Sequence, residues 1–185
     1  MAKKFVNPTK VVTGECRFSY ANLWEAKAMD ENSKPKYSVS LIIPKSDTKT
    51  IEKVKAAIQA AYDEGKSKLS NGKSVPSLNS IKTPLRDGDI DRPDDEAYAN
   101  SYFINANSII APGIVDADRQ PILEHSEIYS GIYGRASITF YAFNTKTSRG
   151  IACGLQNVQK LRDGEPLGGH SSAEEDFADE DDFLD

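Results

Sequence analysis

The chain has few of the residues that build metal sites, disulfides or nucleophilic centres. Its 185 residues include only two cysteines, Cys16 and Cys153, and two histidines, His125 and His170. Neither cysteine has a second cysteine or a histidine at metal-ligand spacing, so no zinc site is indicated. Each lies in a strand-like run, where a free thiol most often behaves as a small buried hydrophobe. We therefore expect no metal and no cofactor.

Signals for catalysis, secretion and membrane insertion are also missing. The sequence contains no Gly-x-Ser-x-Gly motif and no phosphate-binding loop, so we predict no catalytic residues. No stretch approaches the ~18 consecutive apolar residues of a membrane helix. The first eight residues carry positive charge without an apolar segment behind them, which does not favour a secretory signal. The expectation is a non-enzymatic cytoplasmic protein without membrane contact.

Basic residues are absent from the last twelve positions, which reverse the net charge of the chain. All 23 basic residues but only 20 of the 28 acidic ones lie in residues 1–173, so this part is about +3 and the whole chain is −5. Dense like charges keep a segment disordered, and acidic C-terminal tails are usually interaction segments. The predicted regulatory residues of the tail are Glu174, Glu175, Asp176, Asp179, Glu180, Asp181, Asp182, Phe183 and Asp185. The alternative is a tail that only improves solubility.

Alternation of apolar and polar residues predicts that most of the ordered chain is β-strand. The pattern is strongest in residues 131–143, where the even positions are apolar or small. The odd positions carry rings, hydroxyls and one guanidinium. Other strands are predicted within residues 11–20, 36–43, 97–106 and 151–161.

One main helix is predicted at about residues 47–64, since apolar residues recur there at helical spacing between a capping Asp47 and Gly65. Residues 66–97 are rich in Gly, Pro, Ser, Asn and Asp, and they predict a long loop excursion. The fold class is therefore mainly β, a closed or nearly closed antiparallel β-barrel with one helix. Residues 1–165 would form this domain, and residues 166–185 a flexible linker and disordered acidic tail.

The odd-numbered face of residues 131–143 has the composition of a surface that binds single-stranded nucleic acid. Such binding needs cations for the phosphates and flat rings for the bases, and stacking contributes about 1–3 kcal/mol per base. The candidates on this face are Tyr133, Arg135, Tyr141 and Phe143. Candidates on neighbouring strands and loops are Arg17, Trp24, Lys34, Lys36, Tyr102, Lys146 and Arg149. The alternatives are a face buried under a loop or a dimer partner and, for Trp24, a place in the core.

The acidic tail suggests a regulatory mechanism for that face. Tethering gives the tail an effective concentration that reaches the mM range, so it can occupy a basic groove until nucleic acid displaces it. The displaced tip, Phe183 and Leu184, would then be free to dock on another protein.

A second acidic cluster, in residues 87–96, does not fit a metal loop. A calcium loop starting at Asp87 requires Gly where Arg92 stands and Glu where Tyr98 stands. A two-metal nuclease requires carboxylates that converge from separate strands beside a lysine, and no lysine follows the Pro93–Ala97 run at the needed place. A solvated loop is the favoured interpretation.

Several segments, taken in order, resemble phage-encoded single-stranded-DNA-binding proteins. The resemblance rests on Gly131–Asn144, the following Gly150–Gln159 strand, the Tyr37–Pro44 strand that leads into a helix, and the acidic C-terminus with its phenylalanines. It implies an OB-fold that coats single strands during phage DNA replication, recombination and repair, with a tail that restrains binding and recruits replication or recombination proteins. A simple OB-fold usually has its helix between the third and fourth strands, whereas only two clear strands precede Ser46 here.

The predicted function is sequence-independent binding of single-stranded DNA. Two alternatives remain open at this point: an OB-fold adaptor whose aromatic face binds a protein, and a metal-dependent nuclease using residues 87–96. The sequence also does not decide between DNA and RNA as the ligand, or between a monomer and a homodimer.

Overall fold

The computed structural model describes residues 7–28 and 30–167, which form eight strands and three helices. The strands are β1 (Lys10–Val12), β2 (Cys16–Lys27), β3 (Lys36–Pro44), β4 (Leu85–Asp87), β5 (Ser101–Ser108), β6 (Gly113–Val115), β7 (Tyr133–Asn144) and β8 (Arg149–Arg162). The helices are α1 (Thr48–Glu64), α2 (Lys66–Ser70) and α3 (Gly88–Asp91). The chain is therefore mainly β with one main helix, as the sequence predicts.

Five of the strands form a partly open barrel of the OB type. β7 pairs with β2, β2 with β3, β3 with β5, β5 with β8, and β8 again with β7. The sequence predicts an antiparallel OB-type barrel, and four of the five strand pairs in this ring are antiparallel, whereas β5 and β8 run parallel. A ring of five strands cannot alternate direction at every step, so one pair has to be parallel. The register of that pair consists of one position, Asn107 with Gly154.

The core fills the barrel with the faces that alternation predicts. The inward residues Ala136, Ile138 and Phe140 of β7 are at most 1% exposed. The apolar face of α1 adds Ile51, Val54 and Ile58 to the same core. The Asp47 side chain accepts a hydrogen bond from the backbone N–H of Thr50 and begins α1, as expected of a capping residue.

The position of α1 in the barrel follows from the division of the first strand-like segment into β1 and β2. β1 pairs with β7 outside the five-stranded ring, so α1 lies between the second and third barrel strands, β3 and β5. The backbone N–H of Gly14, between β1 and β2, donates to Thr50 Oγ1 at 3.0 Å and ties this turn to the start of α1. Relative to a simple OB-fold, the first strand is divided into β1 and β2, and the pair of β1 with β7 is an addition outside the ring.

The excursion of residues 66–97 closes the gap that β5 and β8 leave between them. β4 pairs antiparallel with β5, and Lys82 forms a bridge to Gly150 of β8. A Cβ atom at Gly150 would overlap the Lys82 carbonyl oxygen, so this approach requires glycine. The predicted excursion thus contains only short elements, among them α2, β4 and α3, and it forms part of the barrel wall.

Tyr98, the residue that directly follows the excursion, packs on the outer surface of β3 and β5. Tyr98 is fully buried, and its ring meets Phe103 edge to face with centroids 5.0 Å apart. The Tyr98 hydroxyl donates to Ser40 Oγ at 2.9 Å. Tyr98 therefore fixes the excursion to the sheet through both apolar burial and a buried hydrogen bond.

After β8 the described chain turns back along the barrel. The Arg17 guanidinium donates to the Glu165 carbonyl oxygen at 2.8 Å, and the Leu167 N–H donates to the Ser130 carbonyl oxygen at 2.8 Å. Gly131, at φ +123°, allows the close approach of Glu165. The predicted acidic tail, residues 174–185, and the linker residues from 168 onward lie outside the described residues.

Candidate nucleic-acid interface

Two aromatic rings on the outer face of the barrel lie opposite unusually small residues. The pairing of β7 with β8 places Thr139, Tyr141 and Phe143 opposite Gly154, Ala152 and Gly150, respectively. Since directly opposed residues share a face, no β8 side chain larger than a methyl group covers these rings. Tyr141 is 47% exposed and Phe143 is half-buried, so both rings are accessible to a ligand.

The rings line a cleft that follows the join between β5 and β8, and we call it the seam groove. It consists of two adjoining cavities, of about 740 Å³ at the Phe143 end and about 370 Å³ at the Tyr141 end, and Asn107 lines both. We define the groove by Lys36, Lys82, Asn105, Asn107, Ile109, Thr139, Tyr141, Phe143, Ala152 and Gly154. Its walls combine flat rings, amide groups and lysines, with two carboxylates at the Phe143 end.

The electrostatic character of the seam groove is set by cations at its two ends. Lys36 lines the Tyr141 end and Lys82 the Phe143 end, and neither forms an ion pair within the described part of the chain. Asp87 and Asp91 also line the Phe143 end. Lys45 lies 2.9 Å from Asp87 and is shared with Asp89, whereas the charge of Asp91 is matched by Arg86, whose Nε lies 3.0 Å from its carboxylate.

Tyr133 and Arg135 lie near the other end of β7, in a second cluster that is more firmly fixed. The Tyr133 ring lies between Arg17 and Arg162, whose guanidinium carbons are 5.5 and 3.8 Å from its centroid. Arg135 Nε donates to the Thr13 carbonyl oxygen at 3.0 Å. At about 3.3 Å per residue, Tyr133 and Tyr141 are roughly 26 Å apart along the strand. The four candidates share one face of β7, but they form two separate groups along it.

Trp24 and Tyr102, two further candidates, are engaged with other parts of the protein. The Trp24 ring stacks on His125 at 4.3 Å, and its Nε1–H donates to the His125 carbonyl oxygen at 3.0 Å. Tyr102 packs against the core, and the Lys45 and Lys55 ammonium groups lie 5.3 and 6.0 Å from its ring centroid. Neither ring is among the residues that line the seam groove.

The remaining basic candidates occupy different positions. Arg149 Nη1 donates to the Leu69 carbonyl oxygen at 3.0 Å and thereby anchors α2 to β8. Lys146 is exposed in the loop between β7 and β8, and Lys34 is exposed in the loop between β2 and β3. None of these three residues forms an ion pair with another described residue.

Sequence reasoning missed Lys82, Asn107 and the small residues of β8. Lys82 lies in a stretch without periodicity, so no local signal places it beside Phe143. The small residues could have been found, because the 144–150 turn makes the strands antiparallel and alternation then places Ala152 and Gly154 on the outer face.

The acidic cluster of residues 87–96 is organised by hydrogen bonds and ion pairs. Lys45 Nζ lies 2.7 Å from Asp89, and this hydrogen bond lowers the pKa of Asp89 while the same contact raises the pKa of Lys45. Across residues 7–28 and 30–167, no three His, Cys, Asp or Glu side chains come together as a metal site would require.

Burial raises the pKa of the Cys16 thiol to about 12, and it also raises that of Cys153. No helix among the described residues has the length and apolar character needed to cross a membrane.

Comparison with known proteins identifies the family. Residues 9–184 match the family described as Enterobacter phage Enc34, ssDNA-binding protein. The chain belongs to this family. It is also 30% identical over 174 residues to putative protein p50 of Acyrthosiphon pisum secondary endosymbiont phage 1, across 90% of this chain and 91% of that protein. The predicted resemblance to phage single-stranded-DNA-binding proteins is thus confirmed.

Solved structures agree with the OB-type fold. The single-stranded DNA-binding protein from bacteriophage Enc34, in complex with ssDNA, is 25% identical and superposes with a TM-score of 0.72, covering 90% of this chain and 97% of that chain. Gp2.5, a single-stranded DNA binding protein encoded by bacteriophage T7, is 15% identical with a TM-score of 0.61, covering 92% and 93%. The T7 protein supports the fold alone.

Proposed function

We propose that the protein binds single-stranded DNA without sequence preference, and that the strand lies in the seam groove. The observation that carries this proposal is the pair of uncovered rings, Tyr141 and Phe143, between a lysine at each end of the groove. Every base has a π-face, so stacking on such rings tolerates any sequence. The Enc34 relative that is in complex with ssDNA supports the same ligand class for this chain.

The groove supplies separate contacts for the bases and the backbone. Tyr141 and Phe143 stack on successive bases, while Lys36 and Lys82 neutralise phosphates at the two ends. The cluster of Tyr133, Arg135 and Arg17 contacts a more distant part of a long strand. Tyr133 and Arg135 lie on the same face of β7 as Tyr141, and Arg17 of β2 is the register partner of Tyr133. Binding in this mechanism breaks no bond, so the protein acts without catalysis.

The role in the phage life cycle follows from coating exposed strands. The protein protects single strands during DNA replication, recombination and repair in the host cytoplasm. Residues 1–165 form the binding domain, and residues 166–185 carry the acidic tail, whose eight carboxylates mimic phosphates. The tail competes for the cationic surface and, when DNA displaces it, presents Phe183 and Leu184 to partner proteins.

Measuring oligo(dT) affinity across a salt series, with the full chain and with a chain lacking residues 174–185, tests this function. The logarithm of the association constant should fall linearly with the logarithm of salt concentration, by about 0.7 for each phosphate neutralised. The shortened chain should bind more tightly at low salt, because the competing carboxylates are gone. A matched RNA oligomer reports the preference between the two nucleic acids.

Two results would contradict the proposal. An affinity that does not change with salt excludes phosphate contacts by the lysines. The absence of any binding to oligo(dT) by either chain would instead favour an adaptor that recognises protein. Equal affinity of the two chains at low salt would leave DNA binding intact and remove only the competition by the tail.

A further inference from the structure

Two lysines lie directly opposite each other at the end of the β2–β3 hairpin. Lys27 is the register partner of Lys36, and both side chains are exposed. Directly opposed residues of an antiparallel pair share a face, with Cβ atoms about 4.5–5.5 Å apart. Lys34, in the loop that joins the strands, adds a third positive charge nearby.

This arrangement is unfavourable for the protein alone. Like charges directly opposite each other destabilise a strand pair. Among the described residues, no carboxylate lies within ion-pair distance of Lys27, Lys34 or Lys36 to offset the repulsion. A glutamate at position 27 would convert the repulsion into an attractive cross-strand pair. A polyanion bound between Lys27 and Lys36 would likewise offset the repulsion between these two lysines.

The lysine pair continues the seam groove. Lys36 lines the groove together with Asn107 and Tyr141. Ser38, two residues along β3 and on the same face, is the register partner of Asn107. Lys27 therefore extends the positive surface beyond the Tyr141 end of the groove, on the face along which a strand leaving Tyr141 would run.

We propose that Lys27 and Lys36 form a phosphate clamp at the Tyr141 end of the seam groove. The ligand is the backbone phosphate next to the base stacked on Tyr141, so this inference rests on the proposed function. The anion relieves the repulsion between the two lysines, and the clamp directs the strand from the groove onto the β2–β3 hairpin. Lys34, in the loop, contacts the following phosphate.

Replacing Lys27 with glutamate gives a test in which stability and binding move in opposite directions. The melting temperature of the free Lys27→Glu protein should rise by about 1–3 °C, because repulsion with Lys36 becomes attraction. Its affinity for oligo(dT) should fall about tenfold, as expected for the loss of a charge-assisted contact. The salt slope should decrease in magnitude by about 0.7, the value for one phosphate contact.

Lys53→Glu, an identical charge change on the exposed face of α1, is the matched control. It should change the affinity much less than Lys27→Glu. If both variants bind equally well, or if Lys27→Glu lowers the melting temperature, the clamp is excluded. Tyr141→Ala in the same assay separates the clamp from the groove: weakened binding by that variant supports the groove whatever Lys27→Glu does, whereas unchanged binding removes the seam groove, and the clamp with it, while DNA binding itself stands.

Discussion

Replacing Tyr141 and Phe143 together with alanine is expected to weaken oligo(dT) binding by at least about 30-fold. Each stacked base contributes about 1–3 kcal/mol, so two rings account for about 2–6 kcal/mol of binding free energy. Both side chains lie on the outer face of β7, which leaves the inward core residues of that strand in place. A fluorescence-anisotropy titration with labelled oligo(dT), at one fixed salt concentration, measures the effect.

Two single variants make this experiment specific. Tyr141→Phe keeps the ring and should retain nearly all of the affinity, because stacking does not need the hydroxyl. Tyr20→Ala removes another exposed ring, 57% accessible, that is packed against Arg92 of the excursion rather than in the seam groove. The groove would be the wrong site if Tyr20→Ala lost binding while the double variant retained it.

Replacing Tyr98 with alanine is expected to lower the free energy of unfolding by about 3–5 kcal/mol, the usual cost of removing a large buried ring. Tyr98 is fully buried between the excursion and the sheet, where it contacts Phe103 and donates to Ser40. Its loss leaves a cavity beneath residues 96–98 and loosens the segment that closes the barrel. Urea denaturation followed by circular dichroism gives the free energy directly.

The conservative variant Tyr98→Phe separates packing from hydrogen bonding. It keeps the ring but leaves Ser40 Oγ without its donor, so a loss of about 1 kcal/mol is expected. If Tyr98→Ala cost no more than this, residues 66–97 would be a dispensable loop and not part of the barrel wall.

Local patterns in the sequence are sufficient to predict most of the elements. Alternation in residues 131–143 reproduces β7 and its buried face, since Ile138 and Phe140 point inward while Tyr141 points outward. The helix follows from its cap at Asp47 and from Ile51, Val54 and Ile58 on one face. These features depend on residues close in the chain, where side-chain period and capping chemistry act directly.

Contacts between distant residues could not be predicted in the same way. The parallel pair of Asn107 and Gly154 follows from closing five strands into a ring, which no local pattern encodes. The role of the excursion depends on Lys82 meeting Gly150 and on Tyr98 meeting Ser40, each across about 60 residues or more. Residues 66–97, which lack periodicity, are therefore part of the barrel structure.

The sequence predicts which types of residue form the candidate site, but not how these residues are arranged in space. Tyr133 and Tyr141 share a face of β7, yet strand length keeps them roughly 26 Å apart. Guanidinium groups already cover Tyr133, whereas Gly154 and Ala152 leave Tyr141 open. The difference depends on the neighbours that each ring meets across the sheet, which requires the register.

Photo-crosslinking of oligo(dT) to the full-length protein, followed by mass-spectrometric mapping of the modified peptides, tests the location of the bound strand most directly. The proposed groove predicts crosslinks at Tyr141 and Phe143, with further sites toward Lys36 on the β2–β3 hairpin. Crosslinks confined to Tyr20 and the 91–96 segment, with the β7 peptide unmodified, would place the DNA on a different surface and contradict the account.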